Sequence, residues 1–284
     1  MSVFEVSIKE FDLTVAGGRT LHAYETEGEG MVPIFWFHGT PNLGAPPEPL
    51  FAEAARQGFR WLSYDRPGYG GSSPDPGRKI ASAAADVASI AEARGIARFA
   101  VMGHSGGASH ALGCAAMLQD RVAGVVSVSA LAPHGAEGLD WFGGMLASGV
   151  ASLGAAAQGR EAKERYEASG AEYEPEFTAA DWEALKSDWS WLGRMANAGM
   201  KAGPWGLIDD DVAYVNPWGC DPRDISCPTL IIQGGQDRIA PAPHGQWLAQ
   251  HVKSAELWPL EADGHISSLM STPSALGWLR SRLR

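Results

Sequence analysis

The sequence predicts an α/β fold with a mostly parallel sheet. Six short runs carry apolar residues on both faces, as strands buried on both sides of a parallel sheet do. Helix-like stretches separate most of these runs. A third observation, a single 85-residue interval from Pro133 to Pro217, marks where the alternation stops and an insertion begins.

Taken in order, Val3 to Ile8 and Leu21 to Glu25 alternate apolar with polar residues around the Ala16-Gly17-Gly18 turn signal, which predicts an opening antiparallel pair. The six apolar runs then follow at Val32 to Phe37, Phe59 to Tyr64, Phe99 to Met102, Val122 to Val128, Thr229 to Ile232 and Ala255 to Leu260. Helices are expected over Pro49 to Gln57, Ala81 to Arg94, Gly106 to Leu118, Pro243 to Val252 and Ser274 to Leu283. Within the insertion, Glu161 to Ala168 and Trp182 to Met195 read as helices, and Glu172 to Glu176 as a solvated acidic turn. With Trp218, the interval holds six of the eleven tryptophans, enough for a small helical core or an apolar wall over a pocket.

Composition narrows the function classes. The balance of 22 basic against 33 acidic residues gives a net charge of −11, which argues against a nucleic-acid partner. Three scattered cysteines, Cys114, Cys220 and Cys227, do not make a disulfide framework and are expected as free thiols. The N-terminal segment carries Glu5 and Glu10 where a signal peptide has basic residues and an apolar run, and no apolar stretch approaches the roughly 20 residues that span a bilayer. A soluble cytoplasmic protein with no membrane partner is expected. The sequence leaves the oligomeric state open, and a homo-oligomer is compatible with it.

The chemistry is read from Gly103-His104-Ser105-Gly106-Gly107, a G-x-S-x-G pattern that gains specificity from the strand entering it and the helix leaving it. Such an elbow holds a serine in strained backbone angles with its hydroxyl in a cleft, and sets the N–H of Gly106 at a helix N-terminus to receive an oxyanion. A serine hydroxyl needs a neutral imidazole to take its proton. His265, in the Asp263-Gly264-His265 loop after the last strand, is the candidate base. Asp237, in the glycine-rich turn after Thr229 to Gln233, is the candidate partner that fixes its tautomer. The loop His38-Gly39-Thr40-Pro41 offers the N–H of Thr40 as a second oxyanion donor. The segment Asp65 to Ser72 reads as a structural turn. Trp141 and His104 are the candidates to contact substrate, and His134 reads mainly as structural. The histidines and cysteines show no metal-ligand spacing, so no metal or cofactor is expected.

These segments in this order closely resemble the α/β-hydrolase superfamily over nearly the whole chain. The resemblance implies an eight-stranded, mostly parallel sheet with a helical cap inserted after strand six, so that residues 1–132 and 218–284 form the core and 133–217 the cap. It also implies a catalytic triad of Ser105, Asp237 and His265, with Thr40 and Gly106 as oxyanion residues. Haloalkane dehalogenases and related epoxide hydrolases carry aspartate where this chain has Ser105. Proline iminopeptidases favour tryptophan, and perhydrolase-type members methionine, where it has Gly106. The expected activity is cofactor-free cleavage of a small or medium carboxylic ester. The alternatives are C–C bond hydrolysis or lyase chemistry on the same triad, and a non-catalytic ligand-binding protein of the same fold.

Overall fold

The computed structural model describes residues 6–171 and 173–283. Its eight strands form one sheet: β1 (Ile8–Thr14), β2 (Thr20–Thr26), β3 (Val32–Phe37), β4 (Phe59–Tyr64), β5 (Phe99–His104), β6 (Val122–Val128), β7 (Thr229–Gly234) and β8 (Ala255–Leu260). The order across the sheet is β1-β2-β4-β3-β5-β6-β7-β8. Strand β2 pairs antiparallel with both its neighbours, and the remaining pairs are parallel.

Helices α1 (Phe51–Arg56), α2 (Ser82–Ala93), α3 (Gly106–Met117), α9 (Ala242–His251) and α10 (Thr272–Arg282) connect or follow the strands. Between β6 and β7 lie α4 (Ala147–Ala157), α5 (Arg160–Ala168), α6 (Ala179–Lys186), α7 (Ser190–Gly199) and α8 (Trp205–Val215). Two apolar cores flank the sheet. One packs Phe35, Val101, Leu112 and Val125 with α2 and α3, and the other packs Trp36, Trp61, Met102 and Leu276 with α1 and α10. None of the helices among the described residues is long and apolar enough to cross a membrane. All three cysteines are free thiols.

The opening hairpin differs from the sequence expectation. The first strand is Ile8–Thr14 rather than Val3 to Ile8, and residues 3–5 of the expected strand lie outside the described residues. Thr14 pairs with Thr20 across the Ala16-Gly17-Gly18 turn, so the tight connection sets the register and recruits the residues next to it. The expected helix from Trp182 to Met195 is two helices, because Ser187 leaves helical angles (φ −112°, ψ −122°) after α6. The first residue of the acidic stretch, Glu172, lies outside the described residues.

Trp141, expected to contact substrate, is a core residue. It is only 4% exposed. Its indole N–H donates to the carbonyl of Ala132 at 2.8 Å, and its ring meets Phe142 and His244 edge-on at 4.9 and 5.4 Å. Truncating Trp141→Ala should therefore cost about 3 to 5 kcal/mol of stability, the range for a buried aromatic. A denaturant midpoint within experimental error of wild type would contradict this placement.

Buried histidines make the fold sensitive to acid. His38 accepts the N–H of Arg66 at Nε2 (3.1 Å), which leaves Nδ1 to donate to the Gly39 carbonyl (2.8 Å). His244 accepts the N–H of Ala132 at Nδ1 (3.0 Å) and donates from Nε2 to the carbonyl of Trp141 (2.9 Å). Both rings are thereby committed to the neutral form. Burial lowers His244 and His110 to about 4 and His104 to about 3, and places His38 well below the ordinary histidine value. Once unfolded, each returns to about 6.5. Below that pH the unfolded chain binds protons the folded chain refuses, so stability falls as pH drops from about 6.5 toward 4. His22 opposes: burial would lower it, but Asp12 and neighbouring carboxylates outweigh that and raise it. So do Asp65, Asp86 and Asp211, whose carboxyls burial raises. Each unmatched histidine contributes up to about 1.4 kcal/mol per pH unit. Urea midpoints measured at about pH 7 and pH 5 should show a marked fall, and equal midpoints would contradict the neutral burial of these rings.

Candidate active site

Strand β5 delivers Ser105 to the carboxyl edge of the sheet, where its backbone adopts φ 57° and ψ −134°. A non-glycine residue rarely occupies such angles, and the neighbours show how they are held. The Ser105 N–H donates to the Val128 carbonyl (2.9 Å), extending the β5–β6 ladder one step past the strand end. On either side the chain is packed against other backbone. A Cβ at Gly103 would lie 2.5 Å from the Gly107 carbonyl oxygen, and one at Gly107 would lie 2.2 Å from that of Phe37. From Phe99 to Ala116 every residue is buried except Ser105. Gly106 opens α3, so its N–H has no carbonyl one turn earlier in the helix to bond.

Asp237 and His265 leave the ends of β7 and β8. His265 Nδ1 lies 2.8 Å from Asp237 Oδ2, with both side chains buried. The other carboxylate oxygen accepts the N–H groups of Ile239 (2.8 Å) and Ala240 (2.9 Å), so the Asp237 side chain cannot swing away. The two turns are also joined through backbone, by Gly235 N–H to Leu260 O (2.9 Å) and Gln236 N–H to Asp263 O (2.8 Å). With Nδ1 donating to the carboxylate, the neutral imidazole presents Nε2 as its acceptor.

His104, expected to contact substrate, is buried beneath the site. Its Nε2 donates to the His265 carbonyl at 2.9 Å, and the two rings lie 4.9 Å apart. It thus ties the strand end before Ser105 to the main chain of His265. His134 lies in a surface hollow of about 320 Å3 with Arg223, Trp247 and His251, and none of its lining residues belongs to the Ser105 group.

The loop after β3 passes beside Ser105, since a Cβ at Gly39 would lie 3.4 Å from the Ser105 Cβ. The next residue, Thr40, is fixed by its side chain: Oγ1 donates to Asp210 Oδ2 (2.6 Å) and lies 2.7 Å from the Tyr214 hydroxyl. Arg66 grips the same loop through the carbonyls of His38 and Gly39. The Asp65 carboxylate accepts the N–H groups of Gly44 (2.7 Å) and Gly71 (3.1 Å), as a structural turn would.

The sequence reading passed over Asp181, Asp210 and Tyr214, all carried by the helices between β6 and β7. Asp210 is fully buried against Arg66 (2.6 Å) and Arg78 (2.7 Å). Burial would raise its pKa, but the two guanidiniums outweigh that and hold the carboxyl well below its usual range. Burial, followed by the nearby Asp210 charge, raises the Tyr214 phenol, so it stays protonated. The available signal was Asp209-Asp210-Asp211 itself, three carboxylates set between apolar residues in Ile208 to Val215.

A family model described as alpha/beta hydrolase fold matches residues 32–270. A hydrolase from Pseudomonas aeruginosa superposes with a TM-score of 0.70 at 22% identity, covering 99% of each chain. The enol-lactonase of Burkholderia xenovorans gives 0.70 at 23% identity, over 96% of this chain and 99% of its own. A thermophilic esterase from Thermogutta terrifontis gives 0.68 at 19% identity, over 97% and 100%. At these identities the structural likeness speaks for the fold. The family match over most of the chain, on an eight-stranded sheet of this order, places the protein in the alpha/beta-hydrolase family.

Proposed function

We propose that this hydrolase cleaves small or medium carboxylic esters through an acyl-enzyme on Ser105. The observation that carries the reading is the 2.8 Å contact of His265 Nδ1 with Asp237, at the strand edge where Ser105 is held at positive φ. In this reading His265 Nε2 takes the Ser105 proton as Oγ attacks the ester carbonyl. The N–H groups of Gly106 and Thr40 hold the oxyanion. The alcohol then leaves with the proton from His265, and a water deprotonated by the same nitrogen attacks the acyl carbon and frees the acid. Asp237 keeps the ring oriented and stabilises the imidazolium. The esterase and enol-lactonase among the structural neighbours support including cyclic esters, which open by the same steps.

Residues 133–217 serve in this reading as a cap over a core of 1–132 and 218–284. Its contribution next to Gly106 is Tyr214. A Cβ on Gly106 would lie 1.8 Å from the Tyr214 hydroxyl, so in this reading α8 closes the site on the Gly106 side with a polar group. Short acyl groups fit such a site better than long chains.

A fluorophosphonate should add covalently to Ser105, seen as a mass shift on its peptide. Ser105→Ala should lower kcat on a p-nitrophenyl ester by about 10⁴-fold or more, His265→Ala comparably, and the double variant little further, because the two act as one unit. Near wild-type turnover by Ser105→Ala would remove the nucleophile assignment.

Across a series of p-nitrophenyl esters, kcat/KM should be highest for acetate to butyrate and fall for chains of about ten carbons or more. A small lactone should also be opened. A rate that climbs steadily with chain length would contradict the bounded site.

A further inference from the structure

We infer that the helices between β6 and β7 are part of the catalytic apparatus, with Asp181 positioning the loop that carries His265 and Asp210 positioning the loop that carries Thr40. The inference rests on the triad and oxyanion roles proposed above.

Asp181 is the third residue of α6 and takes part in a capping box: its N–H donates to Thr178 Oγ1 (3.1 Å) and its Oδ2 accepts the Thr178 N–H (3.0 Å). A cap needs only that one oxygen and can sit in water. Here the second oxygen reaches out of the helix and accepts the N–H groups of Ile266 (2.8 Å) and Ser267 (2.7 Å), with the side chain 1% exposed. On the other side of His265, a Cβ at Gly264 would lie 2.1 Å from Asp181 Oδ2. One carboxylate therefore touches the chain immediately before and immediately after the base. Burial would raise its pKa, but backbone N–H donors from Ser267, Thr178 and Ile266 bring it below the usual carboxylate value, so it remains a charged acceptor at neutral pH. Without it, two buried N–H groups would lose their partner, and the loop would shift to find others.

Asp210 acts on the opposite loop. Oδ2 accepts from Thr40 Oγ1, from Arg66 (2.6 Å) and from the Tyr69 hydroxyl (2.8 Å), while Oδ1 faces Arg66 Nε (3.1 Å). Arg66 spends its remaining donors on the carbonyls of His38 and Gly39. Main chain from 38 to 40 is thus held through carbonyls at one end and a side chain at the other. Proton accounting orders the rest. An ionised carboxylate only accepts, so the single Thr40 hydroxyl proton points to Asp210, and the Tyr214 hydroxyl must donate to Thr40 Oγ1. That donation fixes the phenol over Gly106, the other oxyanion residue.

A purely structural role would lower stability and leave each folded molecule fully active. The test compares full-length wild type with Asp181→Ala, Asp181→Asn and Thr40→Val. Thr40→Val keeps shape and backbone N–H and removes only the hydroxyl tether. Active sites are counted by fluorophosphonate titration well below the unfolding temperature, and kcat and KM are measured with p-nitrophenyl acetate. Asp181→Ala and Thr40→Val should each lose roughly 10- to 100-fold in kcat per titrated site, the scale of an ångström-level misplacement, with KM little changed. Asp181→Asn keeps an acceptor oxygen and should recover most of that loss. Unchanged kcat per site in Asp181→Ala and Thr40→Val, whatever their melting temperatures, overturns the positioning roles, as does Asn behaving like Ala at 181. Should Asp181→Ala fail to fold, Thr40→Val still decides the Asp210 role. Asp181→Ser, whose hydroxyl is too short to reach the Ile266 and Ser267 N–H groups, then takes the place of Ala at 181, and an unchanged kcat per site overturns the role. Failure of wild type itself to react at Ser105 would instead overturn the proposed function.

Discussion

A carboxylate enclosed with two guanidiniums is costly to assemble, and the geometry around Asp210 shows what that arrangement requires. Removing Asp210 from water is tolerable only because Arg66 and Arg78 arrive with it, and Arg66 comes from the turn after β4 while Asp210 comes from α8. Neither half of the cluster is satisfied alone, and breaking such a pair typically costs about 3 to 5 kcal/mol. The sheet and the inserted helices therefore gain from folding together. Helix geometry extends the coupling, since successive residues point about 100° apart. Asp209 meets Arg160, Asp210 faces the sheet, and Asp211 pairs with Lys163 at 2.6 Å. Three consecutive carboxylates thereby fasten α8 to α5 on one side and to the loops after β3 and β4 on the other.

Ser105 draws on the same rigidity. Unfavourable angles at Ser105 persist because its N–H is bonded into the sheet and the chain at Gly103 and Gly107 is pressed against backbone that has no room to give. The His104 ring, under the elbow, then transmits the position of β5 to the His265 carbonyl. Ser105 and His265 are registered to each other through the sheet.

Much of this was legible in the sequence because it is local. Strands β3, β4 and β6 begin and end where the apolar runs do, since a strand buried on both faces has little that is polar to blur its limits, and the half-buried edge strand β8 matches its run as well. Ser105, Asp237 and His265 stand at strand ends, where turn glycines mark them. What was not legible depends on long-range pairing. Nothing in the sequence singles out Asp181, and only the fold shows that its second oxygen reaches Ile266, 85 positions away. Trp141 reads as a pocket aromatic because sequence distance from β6 says nothing about which way the ring turns. Helix α4, built as Ala147-Ser148-Gly149-Val150 and onward from small residues, has too little side-chain contrast for its period to show.

The placement of Asp181 and Asp210 bears on how such a protein can diversify. Exchange of the inserted segment between relatives is a natural way to acquire new substrates, with loops from one parent grafted onto the sheet of another. In this chain a graft would have to bring a carboxylate to the N–H groups of Ile266 and Ser267 and another to Arg66 and Thr40. Recombination is therefore limited less by the fit of the joined ends than by two acidic residues deep inside the exchanged piece, whose partners stay behind in the recipient.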